Sequence, residues 1–460
     1  MTDKSSAFQS ADPGSKPAPV KTSASPRVRR IQRTALTLLV LSGIVNYIDR
    51  ASLAVGNQII RHDLGLSISQ MGFLLSAFLV AYAFAQLPTG ALIDRAGPRL
   101  LLTLGLALWS VAQGVGGMVT SFSQFIGARV LLGVGEAPQF PTGARVVRDW
   151  FNQRDRGLAT GVFNCSSTLG NAIGVPLLTM LMLAFGWRWM FLIMSLVGLL
   201  VALLWFLAYR SPAAVTLTPD ESAYLTEGDP SQPQSSLTFA AWQQLFRIRS
   251  TWGMIFGNFG CVYVVWIYAT WLPAYLETER HMSIRSTGFV SAIPFLCGTL
   301  GALLGGFLVD GLVRCGMKPM ASRKVPAALC LFATAACTAA AAYASSNTLT
   351  VILISASVFL LYIATTCGWA LASVGFPANC TASIGAVLNF GGYLGGALAP
   401  ALTGLIVQST GSFVLALVVG AVISMASGIA YLVLVREVES SGDPQSAGAS
   451  TPPIPASKET

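Results

Sequence analysis

Long apolar runs alternate with short polar stretches along the whole chain. Twelve runs reach, or nearly reach, the roughly 20 residues an α-helix needs to cross a bilayer. They span 34–58, 70–92, 99–119, 123–145, 156–181, 187–208, 251–275, 287–311, 323–344, 349–372, 379–407 and 412–435. The pattern predicts an all-α membrane protein with twelve transmembrane helices in two six-helix halves, 34–208 and 251–435, joined by a linker over 209–250. The first run lacks a small-residue cleavage site and contains Asp49 and Arg50, so it reads as a retained helix and not a signal peptide. Residues 1–33 and 436–460, rich in Ser, Pro, Gly and Ala, are expected to be disordered tails.

Polar positions set the orientation. With the N-terminus inside, 22 of the 28 Lys/Arg residues fall on cytoplasmic segments, against four (Arg61, Arg188, Arg280, Arg285) in exterior loops. That bias predicts cytoplasmic termini. Within the linker, "LTPDESAYL" has Thr218 as N-cap, Pro219 at the first helical position and Glu221 three residues after the cap, the signature of a short capped helix at the cytoplasmic surface. The halves also repeat. Asp94 follows Gly90 by four residues at the end of the second run, and Asp310 follows Gly306 by four at the end of the eighth. Two six-helix repeats of this kind place a solute site between them near midplane.

Composition agrees: 53% hydrophobic, 10% charged, mean hydropathy +0.64. A soluble chain of 460 residues would need far more charge to cover its surface. The net charge of +9 is explained by the basic cytoplasmic loops, so the expected partner is the lipid bilayer and not nucleic acid. Eight cysteines lie scattered, mostly in apolar segments without a C-x-x-C, and read as packing residues. With His62 and His281 alone, no metal site is expected.

Four charges interrupt the apolar runs: Asp49, Arg50, Arg129 and Glu136. Each is costly in hydrocarbon, and ionisable residues within a membrane mark a functional path. Asp49 and Arg50 are adjacent, so their side chains diverge by about 100° and each needs its own partner. Arg129 and Glu136 share a face about 10.5 Å apart along the axis; they touch only through long side chains, or pair more easily with the first helix across the bundle. Two arginines with two acids suit proton-coupled uptake of an anion. A guanidinium binds a carboxylate through a planar fork and stays charged, while a carboxyl in a low-dielectric cavity can take and release a proton.

Gly90, Asp94, Arg95, Gly97 and Arg99 form Gly-x-x-x-Asp-Arg-x-Gly-x-Arg, which resembles the loop 2–3 signature of the major facilitator superfamily; the likeness covers Arg33 to Arg436. The resemblance implies that Asp94, with Asp310 as its counterpart, belongs to a latch that meets a neighbouring helix N-terminus and breaks as the halves rock. "NYIDRASLAV", "SAFLVAYAFAQLPTGALIDRAG" and "RVLLGVGEAPQFPTGARVVRDWF" are similar to the anion:cation symporter branch, and most to bacterial carriers of galactonate, glucarate and hexuronates. This implies that Asp49 and Glu136 carry protons, that Arg50 contacts the substrate carboxylate, and that Arg129 pairs with Glu136 or helps hold the anion. Tyr47, Tyr82, Gln86, Asn164, Asn258, Trp266, Trp369, Asn389 and Tyr393, with Trp271, are the expected lining residues. Gly391, Gly392, Gly395 and Gly396 read as close-packing positions. Two positions depart from the branch: Ser167 stands where those carriers tend to have Gln, and Tyr393 where they tend to have Asn. Both remove an amide able to bond sugar hydroxyls, which leaves the carboxylate end intact.

The expectation is therefore a secondary transporter, an H⁺ symporter for a small organic anion, sugar acids first and aromatic or other carboxylates second. It would be monomeric, lie in a bacterial inner membrane, and need no cofactor beyond the coupling proton. A facilitator of uncharged solutes leaves the buried arginines unexplained. An efflux antiporter for cationic drugs favours an acidic pocket, and an enzyme requires a nucleophile–base or metal constellation that the chain does not supply.

Overall fold

The computed structural model describes residues 24–227, 246–372, 374 and 381–436. Among the described residues there is no strand. The N-terminal half contains α1 (Pro26–Val55), α2 (Asn57–Leu64), α3 (Ile68–Gly116), α4 (Phe122–Glu136), α5 (Gln139–Trp150), α6 (Arg156–Phe185) and α7 (Trp187–Ala208). The linker contributes α8 (Pro219–Thr226). The C-terminal half contains α9 (Arg249–Thr278), α10 (Ile284–Val290), α11 (Ala292–Arg314), α12 (Ala321–Ala342), α13 (Asn347–Ala372), α14 (Thr381–Thr410) and α15 (Val414–Leu434).

Among the described residues, ten helical stretches are long and apolar enough to cross a membrane, and two local breaks reconcile that number with the twelve predicted crossings. At 49 residues, α3 is far too long for one passage. It reverses at Gly97, whose φ of 75° lies where a side chain is strained, and Pro98 follows directly, so the 49 residues make two crossings. The loop signature is thus a single sharp reversal. The fourth crossing is split: α4 stops at Glu136, Pro138 offers no backbone donor, and α5 resumes at Gln139. Glu136 therefore sits, buried, at a break in the helix.

Outward faces carry exposed Phe84, Leu196, Leu203, Leu303 and Phe307, an apolar surface that only lipid covers. Within the N-terminal half α3 packs on α4 and α7, and α1 on α6; in the C-terminal half α9 packs on α14 and α11 on α13. The halves meet through α3 with α14, α6 with α11 and α1 with α9. At the end carrying the α2–α3 turn they are sealed. The Ala401 N–H donates to Ser76 Oγ at 2.9 Å and the Ile68 N–H to Gln408 Oε1 at 3.1 Å. A Cβ on Gly72 would stand 2.6 Å from the Pro400 carbonyl, and one on Gly404 2.9 Å from the Ile68 carbonyl. At the opposite end, which bears the start of α1, the linker helix α8 and the end of α15, Cβ atoms on Gly90, Gly157, Gly161 and Gly306 would meet nothing within 4 Å. The molecule is closed at one end and splayed at the other.

The N-terminal tail is shorter than expected. Helix α1 begins at Pro26, not after Arg33, because Ser25 caps the Val28 N–H and Pro26 occupies the first turn. The linker helix forms as its capping box requires, with Thr218 and Glu221 bonded reciprocally. It also docks. Ser25 Oγ donates to Glu221 at 2.6 Å, Tyr224 Oη donates to Asp155 at 3.0 Å, and Arg27 donates to the Thr216 carbonyl at 3.0 Å. Residues 1–23 and 437–460 of the expected tails lie outside the described residues.

Candidate functional site

The "NYIDRA" stretch, Asn46–Ala51, lies in mid-α1, where residues 45–46 and 48–55 are buried and Tyr47 half-buried. Asp49 and Arg50 diverge as their adjacency requires. Arg50 crosses the bundle to Glu136, with Nε 2.6 Å from Oε2, both side chains nearly sealed from solvent. Its guanidinium carbon lies 4.8 Å from the ring centres of Tyr47 and Tyr82 and 5.1 Å from that of Phe78. Three aromatic faces thus hold the cation from the sides while one carboxylate oxygen holds it at Nε. Among the described residues, Arg50 Nη2 and Glu136 Oε1 have no hydrogen-bonding partner, so the pair is monodentate and half of each fork is unused.

Arg129 is buried against the same aromatic ring: its guanidinium carbon is also 5.1 Å from the Phe78 centre, and its Nε and Nη1 have no hydrogen-bonding partner among the described residues. The sequence left open whether Arg129 or the first helix would take Glu136. The structure gives Glu136 to Arg50, because seven residues of chain separate Arg129 from Glu136 while α1 lies directly opposite. Asp49 is fully buried, and neither carboxylate oxygen has a hydrogen-bonding partner among the described residues, although Trp109 and Arg129 lie nearby. One face of α1 thus presents an ion pair and another a buried acid with Arg129 and Trp109 beside it.

The remaining expected residues divide. Tyr82 is buried and accepts a hydrogen bond from Gln86 Nε2 at 3.3 Å, and its ring lies 4.9 Å from that of Tyr393 on α14. Phe78 similarly faces Trp266 of α9 at 6.4 Å. These two ring contacts bring both halves to the Arg50 site. Ser167, half-buried on α6, and Asn389, half-buried on α14, stand on the elements flanking it. Asn258 does not present its amide donor: Nδ2 bonds the Leu388 carbonyl at 2.8 Å and packs against Gly392. Asn164 and Trp369 are exposed. Trp271 is buried, and its indole N–H is spent on the Pro400 carbonyl at 3.2 Å. The Gly391, Gly392, Gly395 and Gly396 row does pack closely, letting α14 approach the α9 backbone; a Cβ on Gly395 would collide with the Phe259 carbonyl.

In the signature at the reversal, Asp94 pairs with Arg145 of its own half at 2.8 Å, and Arg145 also holds Asp149 at 2.8 Å. Arg99 donates twice to the Phe206 carbonyl, at 2.9 and 2.6 Å. Arg95 and Asp310 are exposed. Sequence reasoning missed Phe78 and Arg145. Phe78 was within reach, since Phe78, Tyr82 and Gln86 fall at four-residue intervals on one face of α3. Arg145 had only its spacing of four to Asp149 as a sign.

A buried cation paired with a carboxylate and reached by aromatic side chains of both helical halves, in a fold of two six-helix repeats, is the arrangement of a membrane carrier. The chain belongs to the Major Facilitator Superfamily, whose family description matches residues 39–400. It is 43% identical over 413 residues to the "Probable L-galactonate transporter" of Escherichia coli (strain K12), covering 90% of this chain and 91% of that one. It is 31% identical to the "D-galactonate transporter" of Escherichia coli O6:H1, covering 88% and 96%, and 31% identical to the "Hexuronate transporter" of Bacillus subtilis (strain 168), covering 88% and 94%. These relatives bear out the resemblance to the sugar-acid carriers. Among solved structures, an inward-facing, unoccupied bacterial homolog of the human lysosomal transporter Spinster matches with a TM-score of 0.72 at 18% identity, over 90% of this chain and 96% of that one. A D-xylose–proton symporter matches at 0.69 and 13%, over 88% and 98%. At such identities they speak for the fold alone. The protein is a multi-pass membrane transporter.

Proposed function

We propose that this transporter is an H⁺-coupled symporter that brings a small sugar acid (an aldonate, aldarate or hexuronate) across a bacterial inner membrane by alternating access, both termini being cytoplasmic. The observation that carries the reading is the sealed Arg50–Glu136 pair. A substrate carboxylate and Glu136 compete for one guanidinium. Protonating Glu136 removes its charge, leaves Arg50 with a free fork inside its aromatic cage, and admits the anion. Loss of the proton returns Glu136 to Arg50 and expels the anion. Asp49, buried beside the pair, serves as the second proton carrier, and Arg129 keeps the pocket cationic. Tyr47, Tyr82, Gln86, Asn389 and Tyr393 contact the remainder of the substrate. On this reading the structure is open to the cytoplasm, with Asp94 drawn onto Arg145 and the latch to the other half released.

L-Galactonate is the first substrate to try, because a 43% identical relative carries that name. Ser167 and Tyr393 favour a second reading, a carboxylate with fewer hydroxyls or an aromatic face, since serine and phenol replace amides there. Uptake into liposomes under an imposed pH gradient, measured for L-galactonate, D-glucarate, D-galacturonate and benzoate, tests both. Gradient-driven accumulation of a sugar acid supports the first reading, and preference for benzoate the second. Uptake indifferent to pH gradient and membrane potential removes proton symport.

A further inference from the structure

The sealed end is not solid. Where α2 of one half meets the end of α9 and the start of α15 of the other, a cavity of about 290 Å³ opens between the halves. Its floor includes Trp271 and Phe413, and its rim carries Arg61, Thr278, Glu279 and His281. It lies on the side of the seal away from Arg50.

The arginines at this end have distinct employments. Arg188 pairs with Asp63 and lies 4.2 Å from the Trp187 ring centre. Arg280 donates to Tyr275 Oη at 2.9 Å and to the carbonyls of Ala344 and Ala341 at 2.7 and 3.1 Å. Arg285 is exposed on α10 and does not line this cavity. Arg61 brings its charge to the space between the halves. It is half-buried, its Nε is shut from solvent with no acceptor among the described residues, and burial holds its pKa below the ordinary arginine value. The neighbouring acid does not satisfy it: Glu279 Oε1 accepts the Phe413 N–H at 2.7 Å, at the positive end of α15. His281 adds ring N–H donors on the opposite wall, and its backbone is turned to φ 50°, a conformation non-glycine residues adopt rarely.

We propose that this cavity is an entry site for the carboxylate of the incoming substrate, with Arg61 as the anion-binding group and His281 as a donor on the opposite half. The proposal rests on the anion-carrier reading above. An anion held there bridges the two halves at the seal, loses its partners when the seal parts, and is released toward Arg50. A six-carbon acid fits the volume. Cationic clefts of this kind raise the local concentration of an anion and so its rate of capture.

The site has a direction, and this makes it testable. Transport of labelled L-galactonate is measured in right-side-out and in inside-out vesicles. Arg61→Gln should raise KM about five- to tenfold for entry from the α2 face, with Vmax nearly unchanged, and leave KM from the other face alone. Arg61→Lys should restore part of the loss. Arg50→Gln, by contrast, should abolish transport from both faces. A second arm needs no substrate. With native cysteines replaced, His281→Cys should react about fivefold faster with an anionic sulfonate thiosulfonate than with its cationic ammonium analogue, and Arg61→Gln should erase that preference. Equal effects of Arg61→Gln on both faces, no effect on either, or no charge preference at position 281 would overturn the proposal. If the wild type carries no sugar acid at all, the functional reading fails, while the thiol arm still decides whether the cavity selects anions.

Discussion

Glutamine at position 136 separates the charge of Glu136 from its shape. In the wild type, Arg50 Nε and Glu136 Oε2 are 2.6 Å apart with both side chains buried. With charge centres about 4 Å apart and an effective dielectric constant of about 20, the attraction is about 4 kcal/mol. An incoming carboxylate must displace that attraction. Glu136→Gln keeps a carbonyl acceptor near Arg50, so about 2–3 kcal/mol of the competition disappears, and the anion should bind about 30- to 150-fold tighter near neutral pH. The same change leaves a buried guanidinium without a counter-charge, which costs about 3–5 kcal/mol when a partner is removed. The variant should therefore melt at a lower temperature without ligand and regain most of the loss with it. Calorimetric titration of detergent-solubilised protein with L-galactonate at about pH 8 and about pH 5 gives the affinities, and thermal melts give the stability. Wild-type binding should tighten as the pH falls, and Glu136→Gln binding should be tight at both values. A variant that binds no tighter than wild type at high pH, or that retains the pH dependence, would refute competition at Arg50.

Opposite glycines should bias the transporter in opposite directions. Gly72→Leu places a side chain where even a Cβ meets the Pro400 carbonyl at 2.6 Å, so it should prop the sealed end open, read as faster thiol labelling of Ser76→Cys, a position buried in the seal. Gly90→Leu meets nothing within 4 Å in this arrangement, so it should be tolerated here and block only closure of the opposite end, holding labelling of Ser76→Cys low. Asp63 is held below the usual carboxylate range chiefly by the hydrogen bond from Arg188. That contribution is complete above the usual range and lost as the pH falls through the lowered value. The Tm deficit of Arg188→Gln should thus be present at about pH 7, shrink toward about pH 3, and correspond to less than about 1 kcal/mol because the pair is exposed. Ser25→Ala removes the N-cap of α1 and the 2.6 Å bond to Glu221 together, and should speed hydrogen exchange across α8 without abolishing transport.

The crossings were legible because bilayer thickness fixes helix length and leaves a plain apolar signature. Their breaks were only partly so. Gly97 and Pro98 marked the reversal, but the split at Ala137–Pro138 is hidden inside a run apolar enough to read as one helix. Helix α1 reaches back to Pro26 because Ser25 and the linker helix hold it, a tertiary cause invisible in a Ser- and Arg-rich segment. The four intramembrane charges announced themselves by their cost. Which acid meets which arginine did not follow from spacing, because pairing depends on how α1 faces α4 across the bundle. Asn258 looked like a lining residue by type, and packing instead turned its donor to the Leu388 carbonyl.

Symport of the kind proposed requires a proton and a substrate anion to exchange places around Arg50. Weakly buffered protein mixed with L-galactonate at neutral pH, followed with a pH-indicator dye, measures this directly. Wild type should withdraw protons from solution as it binds, in proportion to the anion bound, and Glu136→Gln should bind with a markedly smaller withdrawal. Binding of the anion by the wild type with no change in proton concentration would contradict the exchange.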